Sequence, residues 1–430
     1  MPTATRLPHH CNAIDAAGAT GGIDGIRGAR RHAIKQLTLL AAVRIAATPP
    51  ALASAPLDVD RDSHLLADLA ATWQAGGQSY VGLLSATVDG MKPIGRQKVP
   101  TRAHGIVVGS RGTVLVAARR PGDWLLRFDP RHPAAAAWCW SDGAHTFNGH
   151  VIRSRDGRRL FSTETSRETG AGSIGVRDAE SFDLLGRWPS AGIDPHELVL
   201  GPDGGLWVAN GGIETRPETG RTKHHLDRMD SSLVCLDDAS GRIRGQWRLE
   251  DRRLGLRHLA FGADGVLGIA LQAEHDDAET TKAAPVLAIW DRRRGLRPVP
   301  LPSGVMLAGY GGAIARVGER LAVSCPRADR VASWRMVAGE PRWQAPLQLS
   351  EACALAGGWC GGAGAVLHAG SSAGSSTGNS AGSNAGSNAG KGTGVGTGVV
   401  ARADGAMPVE RMTLPVGIRL DNHWALAQAG

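Results

Sequence analysis

Histidines recur along this chain at repeating positions, each near the start of an apolar, strand-like segment. The five are His104, His150, His196, His258 and His423. Neutral imidazoles titrate near neutrality and are good ligands for zinc, copper and iron. A transition-metal site needs three or four such ligands within bond length of one ion. The sequence therefore predicts a metal or ligand site, in which His150, His196 and His258 are the metal ligands.

Other polar residues extend the predicted ligand-binding set beyond the histidines. They are Asn148, Glu197, Asn210, Glu214, Arg257 and Asn422. A channel of seven strands is expected to be too wide for all five histidines, so two or three of them are expected to meet Glu197. A bound anion or a small organic ligand is equally compatible. Any single histidine also has an alternative, structural role, which is to orient a turn through a hydrogen bond.

Established catalytic motifs are absent from the sequence. It contains no G-x-S-x-G, no H-E-x-x-H and no phosphate-binding loop. Glu164 and Glu168 are two nearby carboxylates that would suit acid–base chemistry, but they lie in a polar stretch that favours a solvated loop. No catalytic residue is assigned on these grounds.

Four stretches that begin with histidine share one pattern, which is a short strand, a turn ending in glycine and a second apolar run. They are HGIVVGSRGTVLVAA (104–118), HVIRSRDGRRLFSTE (150–164), HELVLGPDGGLWVAN (196–210) and HLAFGADGVLGIALQ (258–272). Turns of this kind indicate β-hairpins, because Asp and Gly accept a positive φ at little cost. Fainter copies without the histidine start at 311 and 357, and a half-copy starts at 423.

The residues after each hairpin also repeat. A strand closes on an aspartate and the next strand ends in a tryptophan, as in the segments 129–138, 178–188 and 237–247. One unit is therefore four short strands. The histidines are separated by 46 residues (104 to 150), 46 (150 to 196) and 62 (196 to 258). Four-stranded repeats of about this period are typical of β-propeller blades.

Seven repeat starts predict an all-β fold, a seven-bladed β-propeller. They fall at 104, 150, 196, 258, 311, 357 and 423. Because the chain ends soon after 423, the last blade is expected to be closed by N- and C-terminal strands, with residues 80–90 and 94–100 supplying the N-terminal part. Closure of this kind removes free sheet edges.

Two features interrupt the repeat. A glycine- and serine-rich tract at 369–398 is predicted to be a disordered loop inserted in blade six. The similar sequences ETSRETG (164–170) and ETRPETG (214–220) follow the second strands of consecutive blades and are expected to occupy equivalent loops on one rim. If second strands end at the rim opposite the histidines, Glu164 and Glu214 lie away from them.

Residues 1–53 are predicted to be a twin-arginine-type signal peptide. Arg30 and Arg31 precede an apolar run, and small residues up to Ala53 suit cleavage. An amphipathic helix is the alternative, and Arg44 within the run favours it. Residues 54–77 are predicted to be a linker and residues 78–430 the propeller. The mature protein is expected to be periplasmic, monomeric and without a membrane span.

The net charge of +8 is unevenly distributed. Residues 1–53 hold six Lys and Arg against two Asp, which leaves +4 for the remainder (8 − 4). Arginines in that remainder are spread singly through turns rather than along one stripe. A nucleic-acid partner is therefore not expected.

The chain resembles domain of unknown function 1513, a family of exported propellers of the YVTN and quinoprotein-dehydrogenase-like type. The resemblance covers roughly residues 78–428 and includes FNGHVIRSRDGRRLFSTE, GPDGGLWVANGGIETRPETG, RHLAFGADG and LDNHW. It implies a secreted propeller, and the family's association with periplasmic iron-acquisition and di-haem peroxidase-like proteins points to iron or haem handling. It implies no established activity.

The leading expectation is an exported propeller that binds a small molecule, a metal ion or a periplasmic protein at one channel mouth. The expected metal is copper, zinc or iron. The alternative is a metal-dependent propeller enzyme, either a lactonase-type hydrolase or a dehydrogenase, and a third possibility is a pure interaction scaffold.

Overall fold

A computed structural model describes residues 65–429, apart from 88, 110–111, 216–218, 221, 364, 370–397 and 401–408. The predicted signal peptide, the linker up to residue 64 and nearly all of the predicted loop at 369–398 lie outside the described residues. The described chain forms seven antiparallel sheets of four or five strands. The first strand of each sheet contacts the first strand of the next, and the last contacts the first again. The predicted seven-bladed β-propeller is therefore confirmed.

The strands follow the predicted repeat, and each blade is named by its place in the ring. The N-terminal strands are β1 (Leu65–Ala75), β2 (Gln78–Thr87) and β3 (Gly90–Val99). Blade 1 contains β4 (Ala103–Val108), β5 (Val114–Ala118), β6 (Trp124–Asp129) and β7 (His132–Trp140). Blade 2 contains β8 (His145–Arg153), β9 (Arg159–Ser166), β10 (Gly172–Asp178) and β11 (Leu184–Pro189).

Blades 3 and 4 carry additions between their strands. Blade 3 contains β12 (Pro195–Leu200), β13 (Gly205–Asn210), β16 (Ser232–Asp237) and β17 (Ile243–Trp247), and between them lie a hairpin of β14 (Glu214–Thr215) with β15 (Lys223–His224) and a 3₁₀ turn (Leu226–Arg228). Blade 4 contains β18 (Leu254–Phe261), β19 (Leu267–Ala273), helix α1 (Ala278–Ala283), β20 (Leu287–Asp291) and β21 (Gly295–Pro298).

The remaining strands complete the ring. Blade 5 contains β22 (Ala313–Val317), β23 (Arg320–Cys325), a 3₁₀ turn (Pro326–Ala328), β24 (Arg330–Val337) and β25 (Glu340–Gln348). Blade 6 contains β26 (Ala354–Ala356), β27 (Trp359–Gly361), β28 (Ala365–Ala369), β29 (Gly398–Val400) and β30 (Val409–Thr413). Blade 7 contains β31 (Arg419–Ala429) with β1, β2 and β3.

Blade 7 is closed by both ends of the propeller, as predicted. Strand β31 lies innermost and pairs with β1, where Ala71 faces Trp424. The prediction missed one N-terminal strand, because residues 65–75 were assigned to the linker. Seven consecutive residues of β1 are buried, so the segment shows no alternation of polar and apolar side chains. The linker therefore ends before residue 65.

The blades are held together by apolar side chains between neighbouring sheets. Between blades 3 and 4, for example, the ring centroids of Trp247 and Trp290 lie 5.0 Å apart and those of Trp207 and Trp290 lie 4.3 Å apart. Similar buried clusters fill the other interfaces. Each blade is thus fixed in angle against its neighbours, which fixes where the innermost strands meet.

The hairpin turns between first and second strands confirm the predicted role of their glycines. The four predicted turn glycines of blades 1 to 4 have φ between 71° and 77°, a region in which other residues are strained.

Within the described residues, no helix has the length and apolar character needed to cross a bilayer.

Candidate metal centre

A break in strand pairing accompanies each of the five histidines. In blade 3, Pro195 pairs with Asn210 and Glu197 pairs with Ala209, which leaves His196 without an opposite residue. The first strands of blades 1, 2, 4 and 7 break register around their histidines in the same way. Such β-bulges bend a strand and re-aim a side chain, and they are frequent beside functional sites. The bulges therefore direct the histidines toward the channel axis.

All five imidazole rings form one cluster. Nine of the ten ring pairs have centroid separations between 4.4 Å, for His104 and His423, and 6.1 Å, for His104 and His258. The five rings converge more closely than expected, because the bulges bring the side chains inward, but their ligand atoms lie within 4.8 Å of one another only in sets of three. Two histidines, His150 and His258, meet Glu197, as expected. His104, His150, His196 and His258 are buried, with 2–5% of their surface exposed.

Glycine next to two of the histidines permits this close approach. A Cβ at Gly149 would lie 2.6 Å from Cδ2 of His104, and a Cβ at Gly105 would lie 2.4 Å from the Gly149 carbonyl oxygen. Gly149 also has a φ of 107°. The rings of blades 1 and 2 therefore pack against bare backbone, where any side chain would separate them.

Glu197 orients two of the imidazoles. Its Oε2 accepts hydrogen bonds from the Leu259 amide at 2.8 Å and from His258 Nδ1 at 3.1 Å. Its Oε1 lies 3.6 Å from His150 Nδ1. With Nδ1 protonated toward the carboxylate, His258 presents the lone pair of Nε2 to the cluster. A carboxylate behind a histidine in this way is the usual support of a metal-binding imidazole.

The electrostatic setting keeps the imidazoles neutral. Desolvation is the largest cause that lowers the pKa of all five histidines well below 6.5. Arg257 lowers the pKa of His196 and His258 further, and Arg119 does the same to His423. At neutral pH the rings therefore carry lone pairs that are available to a metal ion. Burial also raises the pKa of Glu197.

Three ring nitrogens in the cluster are buried without a hydrogen-bond partner among the described residues. They are Nε2 of His150, Nδ1 of His196 and Nε2 of His423. Buried polar atoms are rarely left unsatisfied in proteins, since each costs about 1–3 kcal/mol. Three such atoms in one cluster call for a bound ion or water.

The distances between ligand atoms suit a transition metal. Two triads of histidines, 104–258–423 and 104–150–196, have nitrogen atoms within 4.8 Å of one another, and so does the set of His150, Glu197 and His258. Two nitrogens bound to one ion at about 2.1 Å are at most about 4.2 Å apart, so small ring rotations suffice. His196 Nε2 and His258 Nε2 are 3.3 Å apart, near the edge of about 3.4 Å of a tetrahedron with such bonds.

The rim around the cluster carries ion pairs between blades that the sequence did not reveal. Asp194 of blade 3 binds Arg120 of blade 1 and lies 3.2 Å from Arg257 of blade 4. Asp421 in β31 binds Arg102 beside β4. A signal was available, because Asp194, Asp421 and Arg102 each stand two residues before a histidine of the cluster.

The other predicted site residues bind protein groups near the cluster. Asn148 donates to the Pro195 carbonyl at 3.0 Å, next to His196, and Asn210 donates to the Ser190 carbonyl at 2.9 Å. Glu214 lies in β14, 4.0 Å from His225. Arg257 pairs with Asp194 as above, and the side chain of Asn422 lies outside the described residues. These contacts assign positioning roles to Asn148 and Arg257. Ligand binding by Asn148, Asn210, Glu214 and Arg257 remains a prediction.

Both acidic motifs lie on the histidine rim. Second strands run antiparallel to first strands and return to the rim where those begin, so that Glu164 pairs with Phe147 and Asn210 with Pro195. The motifs line one cavity of about 350 Å³. They are not at equivalent positions, because the first begins inside β9 and the second follows β13 in the added hairpin.

The two nearby carboxylates of the first motif differ in environment. Glu164 is fully buried, and it binds Arg177 and accepts a 2.8 Å hydrogen bond from Arg187. The expectation of a solvated Glu164 was therefore wrong. Glu168 is exposed, as expected.

Two cavities adjoin the cluster or share its rim. A chamber of about 90 Å³ in the channel is bounded by His150, Glu197, His258 and His423 on one side. A larger cavity of about 600 Å³ on the rim is lined by Arg102, Arg119, Arg419 and Tyr310, among others. The chamber touches the cluster, whereas no histidine of the cluster lines the rim cavity.

The fold and the cluster define a seven-bladed β-propeller with a histidine site at one channel mouth. The chain belongs to the family described as "Protein of unknown function (DUF1513)", which matches residues 97–427. This match confirms the resemblance found in the sequence. A search of curated protein sequences gave no match.

Several solved structures are distantly similar. Hydrazine synthase of Kuenenia stuttgartiensis has 16% identity and a TM-score of 0.44, covering 61% of this chain and 74% of that one. The Dos1 propeller has 14% identity and a TM-score of 0.43, covering 67% and 71%. A nidogen/laminin complex has 13% identity and a TM-score of 0.41, covering 65% and 93%.

Proposed function

We propose that this propeller binds one transition metal ion, of the copper, zinc or iron type, in its five-histidine cluster. The observation that carries the proposal is the set of three buried ring nitrogens without partners, among five neutral imidazoles whose rings lie within about 6 Å. Imidazole suits all three metals. The sequence predicted His150, His196 and His258 as the ligands, but these three are not one of the sets whose ligand atoms lie within 4.8 Å. The ligands in this proposal therefore come from those sets, which are His104–His258–His423, His104–His150–His196 and His150–Glu197–His258.

Glu197 supports the metal from behind in this proposal. It holds the Nδ1 proton of His258 and faces Nδ1 of His150, so that both rings offer Nε2 to the ion. A hydrogen-bonded network of histidines alone is the competing explanation of the cluster. It accounts for the contact between His196 and His258, and it needs bound water at the three nitrogens that have no partner among the described residues. Elemental analysis of the purified protein distinguishes the two explanations.

We further propose that the protein acts in the periplasm and handles metal there without catalysis. The twin-arginine-type sequence at 1–53 supports export, and the family's association with iron-acquisition and di-haem proteins supports iron as one of the candidate ions. A periplasmic protein or a small molecule would deliver or receive the metal, and no particular one is proposed.

A metal-dependent enzyme is the second candidate. The rim cavity of about 600 Å³ favours it, because this volume suits an organic molecule and its wall carries both arginines and Glu351 for polar contacts. Lactonase-type hydrolysis and dehydrogenation are the two reactions expected of such a site. Turnover of lactones or of a redox dye by the metal-loaded protein would favour this candidate.

Elemental analysis of the purified full-length protein tests the metal proposal. We expect one ion of copper, zinc or iron per chain, and we expect replacement of His258 by Ala to lower the affinity at least about 100-fold. Replacement of the exposed His132 by Ala is the matched control, because it removes an imidazole outside the cluster. Equal metal affinity in the two variants, or no bound metal in the wild type after reloading, contradicts the proposal.

A further inference from the structure

The histidine cluster is incomplete on one side of the channel. Among their described residues, blades 5 and 6 contribute no histidine to the cluster, and Ala313, Ile314 and Leu355 line the channel there. Their strands pair without a register break, so no side chain is re-aimed toward the axis. A metal held by the cluster would have imidazoles around most of its circumference and apolar groups opposite.

The chamber of about 90 Å³ lies in the channel next to the cluster, and residues of all seven blades line it. Its polar wall consists of His150, Glu197, His258 and His423, all from the cluster. The other side chains in the lining are apolar, among them Ile106, Val151, Ile152, Ile314, Leu355 and Trp424, although polar atoms make up most of the exposed lining surface. One water occupies about 30 Å³ in the liquid, so the chamber holds about three heavy atoms.

One hydrogen-bond donor in the chamber wall is unused. Trp424 is buried, with 5% of its surface exposed, and its Nε1 has no hydrogen-bond partner among the described residues. An indole N–H is a donor only, and it usually finds a partner when buried. A ligand that binds the metal with one end and accepts a hydrogen bond with the other would supply that partner.

We infer that the metal keeps one exchangeable coordination position facing this chamber, and that the position takes a small ligand of up to three heavy atoms, such as a triatomic anion or a diatomic molecule. The inference rests on the proposed metal site. Binding is a ligand exchange, in which the incoming molecule displaces a metal-bound water and no electrons are transferred. The size limit rests on the chamber volume of about 90 Å³.

Azide is a suitable probe, because it has three heavy atoms and perturbs the absorption and electron paramagnetic resonance spectra of copper(II). Copper-loaded full-length protein is titrated with azide and, separately, with 2-methylimidazole. We expect saturable spectral changes with azide and none with the bulkier ligand. Copper stoichiometry is measured in the same samples, so that loss of the metal is distinguished from failure to bind azide.

Two substitutions at one position change the chamber in opposite directions. Leu355→Phe fills it and is expected to weaken azide binding at least about tenfold with copper stoichiometry unchanged. Leu355→Ala enlarges it and is expected to admit 2-methylimidazole. Leu347→Phe is the matched control, since it adds the same volume to the outer strand β25 of blade 5. Trp424→Phe keeps the shape but removes the donor and is expected to weaken azide binding by a smaller factor.

The outcomes separate the two proposals. Copper bound at one ion per chain with no azide response overturns the exchangeable position and leaves the metal site standing. An azide response that Leu355→Phe and Leu355→Ala leave unchanged places the ligand elsewhere and overturns the inference as well. Absence of copper binding overturns both. Copper stoichiometry and the melting temperature of each variant show whether it is folded.

Discussion

Blades 1 to 4 and 7 differ from blades 5 and 6 at a single point of the repeat. All seven have the same antiparallel order of strands and the same kind of apolar packing against their neighbours. In blades 1 to 4 and 7, the first strand bulges at a histidine. In blades 5 and 6, Ala313 pairs regularly with Ser324, and Leu355 pairs with Cys360.

This difference shows how a repeating scaffold acquires a site. The regular strands set the radius of the channel, and at that radius side chains from seven blades do not share one ion. A bulge shifts one residue out of register and turns it inward. Five bulges on adjacent blades thus produce a cluster, and the two regular blades leave it open on one side.

The largest expected effect is a loss of stability in acid, and it arises from the five blades that carry the histidines. Burial lowers the pKa of the five histidines in the folded state, so the unfolded chain binds more protons as the pH falls below about 6.5. The stability contributed by neutral imidazoles is present above that pH and is lost below it, by roughly 1 kcal/mol per pH unit for each ring. We expect the metal-free protein to unfold sharply with acid.

Urea unfolding of the metal-free protein between pH 8 and pH 5 measures this loss. The variant with both His150 and His258 replaced by Ala is the comparison, and its free energy of unfolding should fall less steeply with acid. Equal slopes for the two proteins would show that the acid response arises outside the cluster.

The next largest effect concerns metal binding by that same double variant. Removing His150 and His258 takes at least one member from each of the three sets whose ligand atoms lie within 4.8 Å, and we expect the dissociation constant for copper(II) to rise at least about a thousandfold. Replacing Ile314 by Val in blade 5 is the control from the regular blades. A competition titration against a chelator of known affinity measures both, and a similar change in both variants would contradict the assignment.

The rim ion pairs give a third contrast between the two sides. Asp194 is buried with Arg120 and Arg257, whose side chains are only 10% and 5% exposed. Replacing Asp194 by Asn removes the buried carboxylate that Arg120 and Arg257 share, and we expect a loss of about 3–5 kcal/mol in the free energy of unfolding. Urea denaturation at neutral pH measures it.

The matched control for Asp194 lies on the side of blades 6 and 7. Glu351 is 4.0 Å from Arg419, and both side chains are more than half exposed. Glu351→Gln should cost less than about 1 kcal/mol, because exposed ion pairs contribute little. A loss for Asp194→Asn as small as that for Glu351→Gln would mean that the buried pairs do not tie blades 1, 3 and 4 together.

The sequence predicted the fold well because short local sequence patterns mark each repeat. Turn glycines, hairpin lengths and recurring tryptophans are properties of neighbouring residues, and they identified the blades and their closure by both ends. Strand β1 was missed because it is buried on both faces, so its residues 65–75 lack the alternation that marks a half-exposed strand.

The site was predicted in part. The histidines were found because they occupy equivalent places in the repeat, but their convergence was underestimated, since a bulge depends on the pairing partner and not on the histidine itself. Asp194 pairs with Arg120 and Arg257, which are 74 and 63 residues away in the sequence, and only the arrangement of the blades in a ring brings them together. Glu164 was taken for a solvent-exposed residue because Arg177 and Arg187, which surround it, lie on later strands.

The smallest expected effect is a difference in metal affinity between variants of two carboxylates of blade 3. Glu197 lies beside the cluster, and Glu214 lies on the added hairpin. Glu197→Gln keeps the shape of the side chain but weakens its hold on the Nδ1 proton of His258, and we expect metal affinity to fall about 10- to 100-fold. Glu214→Gln removes the same charge from β14 and should change affinity less than about twofold. Isothermal titration with zinc(II) at one ionic strength measures both. If the two variants lose affinity equally, the effect of Glu197 is that of net charge near the rim, and its contact with His258 at 3.1 Å does not orient a metal ligand.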